Sequence, residues 1–271
     1  MPELPEVETT CNGIAPHLNN KTIADVIIRQ PKLRWPIPAK IKKCLPLQKI
    51  KSVTRRAKYI LIATQTGTLI VHLGMSGSLR IVKAATPHDK HDHFDLVLKN
   101  GHCLRLHDPR RFGSVLWTED SPLDHKLIIN LGPEPLSTDF TADYLYQQSR
   151  KRKVNIKQFI MNGNIVVGVG NIYASESLFL SGIHPRKAAG KVSLERYKKL
   201  VSAIKKVLAA AIKQGGTTLK DFTQSDGKPG YFQQQLNVYG RKGEPCLICK
   251  KPISHCVLGQ RATYYCTQCQ K

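Results

Sequence analysis

Two Cys-x2-Cys pairs near the C-terminus, Cys246-Leu-Ile-Cys249 and Cys266-Thr-Gln-Cys269, are separated by 16 residues. This is the spacing of a tetrahedral four-thiolate zinc site, with each pair forming a knuckle on one side of the metal. Between the pairs, Arg261-Ala-Thr-Tyr-Tyr265 is β-prone. The segment is therefore expected to be a small β-hairpin, too short to bury a core of its own and held by the ion. Four thiolates leave no position open for water, so one structural Zn2+ is expected, presenting Arg261 rather than doing chemistry. Cys11, Cys44, Cys103 and Cys256 are scattered through ordinary sequence. That pattern fits a reducing compartment better than a disulfide framework.

Upstream, the texture of the chain changes twice. Val7, Cys11, Ile14 and Leu18 fall at helical spacing after the opening Pro-Glu-Leu-Pro, with Glu6 and Glu8 in the first turn, where they complement the helix dipole. Short β-rich runs follow at 23–28, 50–64, 69–73, 79–82, 94–98, 103–107 and 114–117, separated by Gly, Pro and polar clusters. Seven such runs predict a β-sandwich or barrel, and Asn100-Gly101 supplies a hairpin signal between two of them. Residues 121–143 read as a connector. Helices are expected near 144–161 and 172–181, with a turn over 163–170, and most clearly over Ser193–Gln214. There Leu194, Tyr197, Leu200, Val201, Ile204, Val207, Leu208, Ala211 and Ile212 form one apolar stripe. The fold class expected is α+β in two domains.

The charge narrows the partner. The 271 residues carry 42 basic and 19 acidic side chains, a formal net charge of +23, and residues 151–271 hold +16 of it. Only 23% of residues are charged, so this is a globular chain with a sign bias, and a polyanion is the expected partner. The densest apolar run, Val207–Ile212, is six residues long, against the roughly 20 that a membrane span requires. The acidic start is unlike a signal peptide. No membrane association and a cytoplasmic location are expected.

Pro2 becomes the first residue if Met1 is removed, and its secondary amine could attack an electrophilic sugar carbon and form an iminium. Glu3 beside it could protonate an opening sugar or shuttle protons. Alone, Pro-Glu at an N-terminus is a weak signal, because Glu3 equally suits a solvated or dipole-complementing role.

The wider pattern is more specific. Pro2-Glu-Leu-Pro-Glu-Val-Glu8, Arg56-Ala-Lys-Tyr59, His72-Leu-Gly-Met-Ser-Gly-Ser78, Asp108-Pro-Arg-Arg-Phe-Gly113, Gly168-Val-Gly-Asn-Ile-Tyr173, Gln224-Ser-Asp-Gly-Lys-Pro-Gly230 and the zinc pairs occur in that order. Together, over residues 2–271, they resemble the bacterial formamidopyrimidine-DNA glycosylase family. Leu4 favours this purine branch over the related endonuclease VIII branch, which typically begins Pro-Glu-Gly-Pro. The resemblance implies three modules: an N-terminal β-sandwich with flanking helices (1–135), a helical helix-two-turn-helix domain (136–235) and the four-cysteine zinc hairpin (236–271). It implies a monomeric, bifunctional glycosylase and abasic-site lyase acting on damaged double-stranded DNA, and through that DNA associated with the nucleoid.

Residue by residue, the resemblance makes Pro2 the nucleophile and Glu3 its proton-transfer partner, and adds Lys58 and Arg261 to the catalytic group. Met75, Arg110 and Phe112 match the residues that fill the gap left by an extruded base. Lys58, Asn171 and Arg261 match phosphate-binding positions, as does His72. Lys157 and Lys220 match regions around the extruded base, while Asp221 and Asp226 read as loop or capping residues. The loop 83–92 and the segment 249–260 carry no assigned contacts. Two other readings stay open on the sequence: a non-catalytic DNA-binding protein with this fold, and a zinc-ribbon RNA-binding protein.

Overall fold

The computed structural model describes residues 2–215 and 236–271. They fall into two compact units, one of residues up to Asn130 and one of Leu131–Gln214 with the residues from 236 onward.

The first unit opens on helix α1 (Leu4–Leu18), followed by β1 (Ile23–Ile28), the short α2 (Ile41–Cys44), β2 (Ser52–Arg56), β3 (Tyr59–Ala63), β4 (Thr68–His72), β5 (Ser78–Lys83), β6 (Asp92–Leu98), β7 (His102–His107) and β8 (Ser114–Thr118). The strands form two four-stranded antiparallel sheets, ordered β1-β6-β7-β5 and β2-β3-β4-β8. Alternate residues point into a shared core: Ile60 and Ile62, Leu69 and Val71, and Val115 and Trp117 from one sheet, with Phe94, Leu96 and Leu98, and Leu104 and Leu106 from the other. This alternation of core-facing residues is what a sandwich requires, and intervening residues such as Leu61, Ile70 and Cys103 are buried on the opposite faces of their strands. The stripe Val7, Cys11, Ile14 and Leu18 joins α1 to the same core.

The expected single run over 50–64 is two strands. Arg56 lies opposite Tyr59, so Ala57 and Lys58 form a two-residue turn, with Ala57 at φ 54°. Such a turn normally announces itself by Gly or Asn at the left-handed position, and alanine gives no such signal. Asn100-Gly101 does mark a turn, between β6 and β7, with Gly101 at φ 80°. The loop before β6 is tied down by Arg105, a fully buried guanidinium. It donates to both oxygens of Asp95 (3.0 and 2.9 Å) and to the carbonyls of Thr86 and Pro87 (3.0 Å each).

The second unit contains α3 (Ala142–Ser149), α4 (Ile156–Met161), α5 (Asn171–Leu180), α6 (Leu194–Lys213) and the hairpin β9 (Ser254–Leu258) and β10 (Arg261–Tyr265). The helix expected over 144–161 is broken into α3 and α4. Lys151 sits at φ 61°, and the Asn155 side chain accepts the Gln158 N–H (2.9 Å) to cap a fresh helix start. On α6, Tyr197, Leu200, Val201, Ile204, Val207, Leu208 and Ala211 are buried, as the periodicity predicts. Among the described residues no helix is long and apolar enough to cross a membrane.

Candidate functional site

In the first unit, Pro2 and Glu3 are both buried at the head of α1, Glu3 at 2% exposure. Glu3 is the N-cap, and it forms a reciprocal capping box with Glu6: the Glu3 carboxylate accepts the Glu6 N–H, and the Glu3 N–H donates to Glu6 Oε2 at 2.9 Å. Two of the unpaired donors at a helix start are satisfied this way, which immobilises the backbone next to Pro2. Glu6 is fully buried and is a positioning residue that sequence reasoning treated only as a dipole complement. The Glu-x-x-Glu spacing was the signal that could have found it.

One turn further along α1, Glu8 pairs with Arg55 Nε, and Arg55 Nη1 donates to the Ala57 carbonyl (2.8 Å). The arginine thus ties α1 to the turn that carries Lys58. Cys11, also on α1, faces the core, where burial pushes its thiol up to about 12. It is a packing residue, not a nucleophile.

His72 ends β4. Its Nδ1 accepts the Gly74 N–H (3.0 Å), and its ring lies 5.0 Å from that of Tyr59. Burial, reinforced by the positive charges of Lys58 and Arg34, pulls its pKa down to about 4. With Nδ1 accepting, the neutral ring carries its proton on Nε2, a donor rather than a cation. The sign of the pH effect follows. The unfolded chain protonates His72 near 6.5, while the native state resists down to about 4. Stability from this group is complete above pH 6.5 and is lost as the pH falls toward 4. Urea unfolding of the wild type is expected to lose about 2 kcal/mol more between pH 7.5 and 5 than His72→Asn does. Equal losses in the two proteins would show that His72 is not held neutral.

Two loops follow from this strand arrangement. Gly74 adopts φ 66°, and a Cβ there would meet the Phe112 carbonyl carbon at 2.4 Å. Only glycine lets the Met75 loop lie directly on the Arg110–Phe112 loop. Asp108 clamps both: its Oδ2 accepts the Gly113 N–H (2.7 Å) and its Oδ1 the Ser76 hydroxyl (3.3 Å), while the Asp108 carbonyl receives the Arg111 N–H. Asp108 is fully buried; the cue to it in the sequence is an aspartate heading an Asp-Pro turn. Met75 is half-buried, Arg110 is exposed 4.9 Å above the Phe112 ring, and Phe112 is 43% exposed. So large an exposed aromatic is not core packing.

In the second unit, three expected residues converge on one strand. Asn171 Nδ2 and Lys157 Nζ both donate to the Ala262 carbonyl (3.0 Å each), and Lys157 Nζ also reaches Thr263 Oγ1 (2.9 Å). Arg261 precedes Ala262 and is exposed. Lys157 was expected beside an extruded base; in the structure its ammonium is turned to the hairpin. At 1% exposure its ammonium is an internal anchor of the hairpin, because a buried cation needs fixed acceptors and β10 supplies them. Asn171 opens α5, whose N-terminus favours anions. Lys220, Asp221 and Asp226 lie outside the described residues.

The four expected metal ligands come together. Cys246, Cys249, Cys266 and Cys269 place their sulfurs within 4.8 Å of one another, with Cys246 to Cys269 at 3.9 Å and Cys249 to Cys266 at 3.4 Å. A tetrahedron with Zn–S bonds of about 2.3 Å has edges of about 3.8 Å, so the donor set fits zinc. Phe179, Val238 and Ile253 pack against Cys246 and Cys266. Gln270 links the second knuckle to the helical body, accepting the Cys266 N–H and donating to the Ile183 carbonyl (2.9 Å each). At the hairpin tip, Gly259 and Gln260 both have positive φ, the pattern of a two-residue turn.

Comparison with known proteins shows three family models in chain order. They are the formamidopyrimidine-DNA glycosylase N-terminal domain over residues 1–115, its H2TH domain over 131–223, and the zinc finger found in FPG and IleRS over 243–271. A sandwich, a helix-two-turn-helix unit and a four-thiolate finger in one chain define a DNA-repair glycosylase with one structural zinc. Formamidopyrimidine-DNA glycosylases of Nitrosococcus oceani and Alteromonas mediterranea are 57% and 59% identical over the whole length of both chains. The chain belongs to the formamidopyrimidine-DNA glycosylase family. Among solved structures, the MutM (Fpg) protein from Thermus thermophilus superposes with a TM-score of 0.89 at 35% identity, covering 99% of this chain and 98% of that one. The wild-type Lactococcus lactis Fpg, solved with an N7-benzyl-Fapy-dG containing DNA, and Lactococcus lactis Fpg solved with an abasic site containing DNA each give 0.92 at 32%, with full coverage of both chains.

Proposed function

We propose that this chain is a bifunctional DNA glycosylase and abasic-site lyase that removes oxidised purines, 8-oxoguanine and formamidopyrimidines, from duplex DNA through an iminium at Pro2. The observation that carries the reading is the buried Pro2-Glu3 pair at the head of α1, held by the capping box with Glu6. The DNA bound by the two Lactococcus lactis proteins, one with a formamidopyrimidine and one with an abasic site, supports the same substrate class. The working division is into modules 1–135, 136–235 and 236–271, acting as a monomer in the bacterial cytoplasm, at the nucleoid where the duplex lies.

Pro2, a secondary amine once Met1 is removed, attacks C1′ of the damaged nucleotide. The bond from C1′ to the base breaks, and the base leaves with the proton that the Pro2 nitrogen gives up on bonding to C1′. Glu3 protonates the ring oxygen as the sugar opens, giving a C1′=N iminium. Loss of a C2′ proton expels the 3′ phosphate, and a second, δ-elimination expels the 5′ phosphate. Water then hydrolyses the iminium, releasing the sugar remnant as an unsaturated aldehyde and restoring the Pro2 amine, and a one-nucleotide gap with phosphates at both ends remains. Lys58, Arg261, Asn171 and the neutral His72 hold phosphates, and the two cations favour the charge that develops as those phosphates depart. Met75 and Phe112 wedge the stack, and Arg110 offers hydrogen bonds to the unpaired cytosine. Cys246, Cys249, Cys266 and Cys269 would hold the zinc, whose part would be to fix the hairpin that presents Arg261.

The test is borohydride trapping on a duplex with one 8-oxoguanine opposite cytosine, followed by mass mapping. A covalent adduct at Pro2 is expected. No adduct on lesion or abasic duplex, from protein shown to lack Met1, would leave a DNA-binding protein. Met75→Ala is expected to slow excision of 8-oxoguanine about tenfold or more while changing cleavage of a preformed abasic site by less than about twofold, because no base then needs extruding. Equal losses on the two substrates would return Met75 to a packing role.

A further inference from the structure

We propose that the groove between the C-terminal end of α5 and the exposed face of α6 docks an acidic peptide segment carrying an apolar anchor residue. The groove is a cavity of about 430 Å³ lined by Leu180, Lys198, Lys199, Ser202, Ala203 and Lys206. Leu180, 44% exposed at the end of α5, and the methyl of Ala203 give it apolar surface, while the lysines rim it. The lysines are not equivalent. Lys198 pairs with Glu195 at 2.7 Å, and the other cations of α6 near the body are engaged, Arg196 with the Gly182 carbonyl (2.8 Å) and Lys205 with the Ser137 carbonyl (2.9 Å). Lys199 and Lys206 are exposed and have no acidic partner among the described residues. Seven helical positions separate them, about 10 Å along the axis.

These dimensions select the occupant. An extended peptide advances about 3.3 Å per residue, so acids three apart meet Lys199 and Lys206 while an apolar side chain between them enters the cavity. A duplex would use the lysines through its phosphates but has no use for an apolar hollow. The groove also lies at the far end of α5 from Asn171, about 14 Å along the helix, away from the residue assigned to phosphate. Charge and shape together therefore fit an acidic segment of a protein partner, bound by two ammonium groups and one buried anchor.

The probe is a fluorescein-labelled Asp-Glu-Phe-Leu-Asp-Glu peptide, followed by anisotropy with the full chain at 150 mM salt, where exposed charges alone are largely screened. Binding is expected, weakened about tenfold or more by Lys199→Glu with Lys206→Glu, and about tenfold when the peptide's apolar pair is replaced by serine. Ser202→Trp, which fills the groove without changing charge, is expected to weaken the peptide similarly. All of these variants should nick lesion duplex at the wild-type rate. Equal affinity for the serine peptide, or peptide binding unchanged by both the charge reversal and Ser202→Trp, overturns the proposal. So does a charge reversal that weakens duplex binding instead, which would make the groove a nucleic-acid face.

Discussion

Protein that retains Met1 is expected to lose base excision and borohydride trapping together, by at least about 10³-fold, the scale on which enzymes suffer when a covalent nucleophile is removed. With Met1 attached, the Pro2 nitrogen is an amide whose lone pair is delocalised into the carbonyl, and it cannot attack C1′. The fold should not notice, because Glu3 still caps α1 through Glu6 and the core stripe of α1 is unchanged. Binding of an abasic-analogue duplex should therefore persist within about twofold. Intact mass gives the Met1 fraction, and aminopeptidase treatment should restore trapping in proportion to the residue removed. Full trapping by protein that is entirely Met1-bearing would show that another amine is the nucleophile.

Removing zinc is the second large perturbation. Chelation, or Cys249→Ser, is expected to weaken binding to lesion duplex about 10- to 100-fold, more than Arg261→Ala alone, with zinc content measured on the same sample. Besides the metal, the hairpin is held by its small cluster with Phe179, Val238 and Ile253, by the bonds to Ala262 and Thr263, and by the Gln270 link to the Ile183 carbonyl, and the cluster and that link both depend on the knuckles staying closed. When β10 loosens, Arg261 is released. Lys157 simultaneously loses two acceptors in a buried place, so the penalty extends into α4. The first unit has its own core, so Pro2 and its helix should survive, and slow trapping at an abasic site should remain. Unchanged duplex binding after verified metal loss would remove the hairpin from the interface.

Much was legible in the chain itself. The thiol spacing announced the zinc centre, and alternating apolar runs between turn signals announced the sandwich. The nine-residue stripe announced α6. Each is a local pattern, complete within a few turns or one hairpin, and is expressed wherever the segment folds. The failures share a cause as well. Ala57 makes a turn with a residue that carries no turn signal, because the pairing of β2 with β3 on either side imposes its left-handed φ. The break between α3 and α4 depends on Lys151 adopting an uncommon φ and on Asn155 acting as a cap rather than as one more polar residue of a continuous helix.

By itself, the sequence determined the α+β class, the metal and its ligands, the apolar faces and the family. The tertiary structure alone decided what the buried polar groups do. Asp108 could clamp Ser76 only once two strands brought residues 32 apart together, and Lys157 found Ala262 and Thr263 across more than 100 residues. Likewise His72 is held neutral by its burial and by the neighbouring charges of Lys58 and Arg34. A buried charge or hydrogen-bonding group takes its role from the partners that replace water, and those partners are chosen by packing over long range rather than by neighbours in the chain.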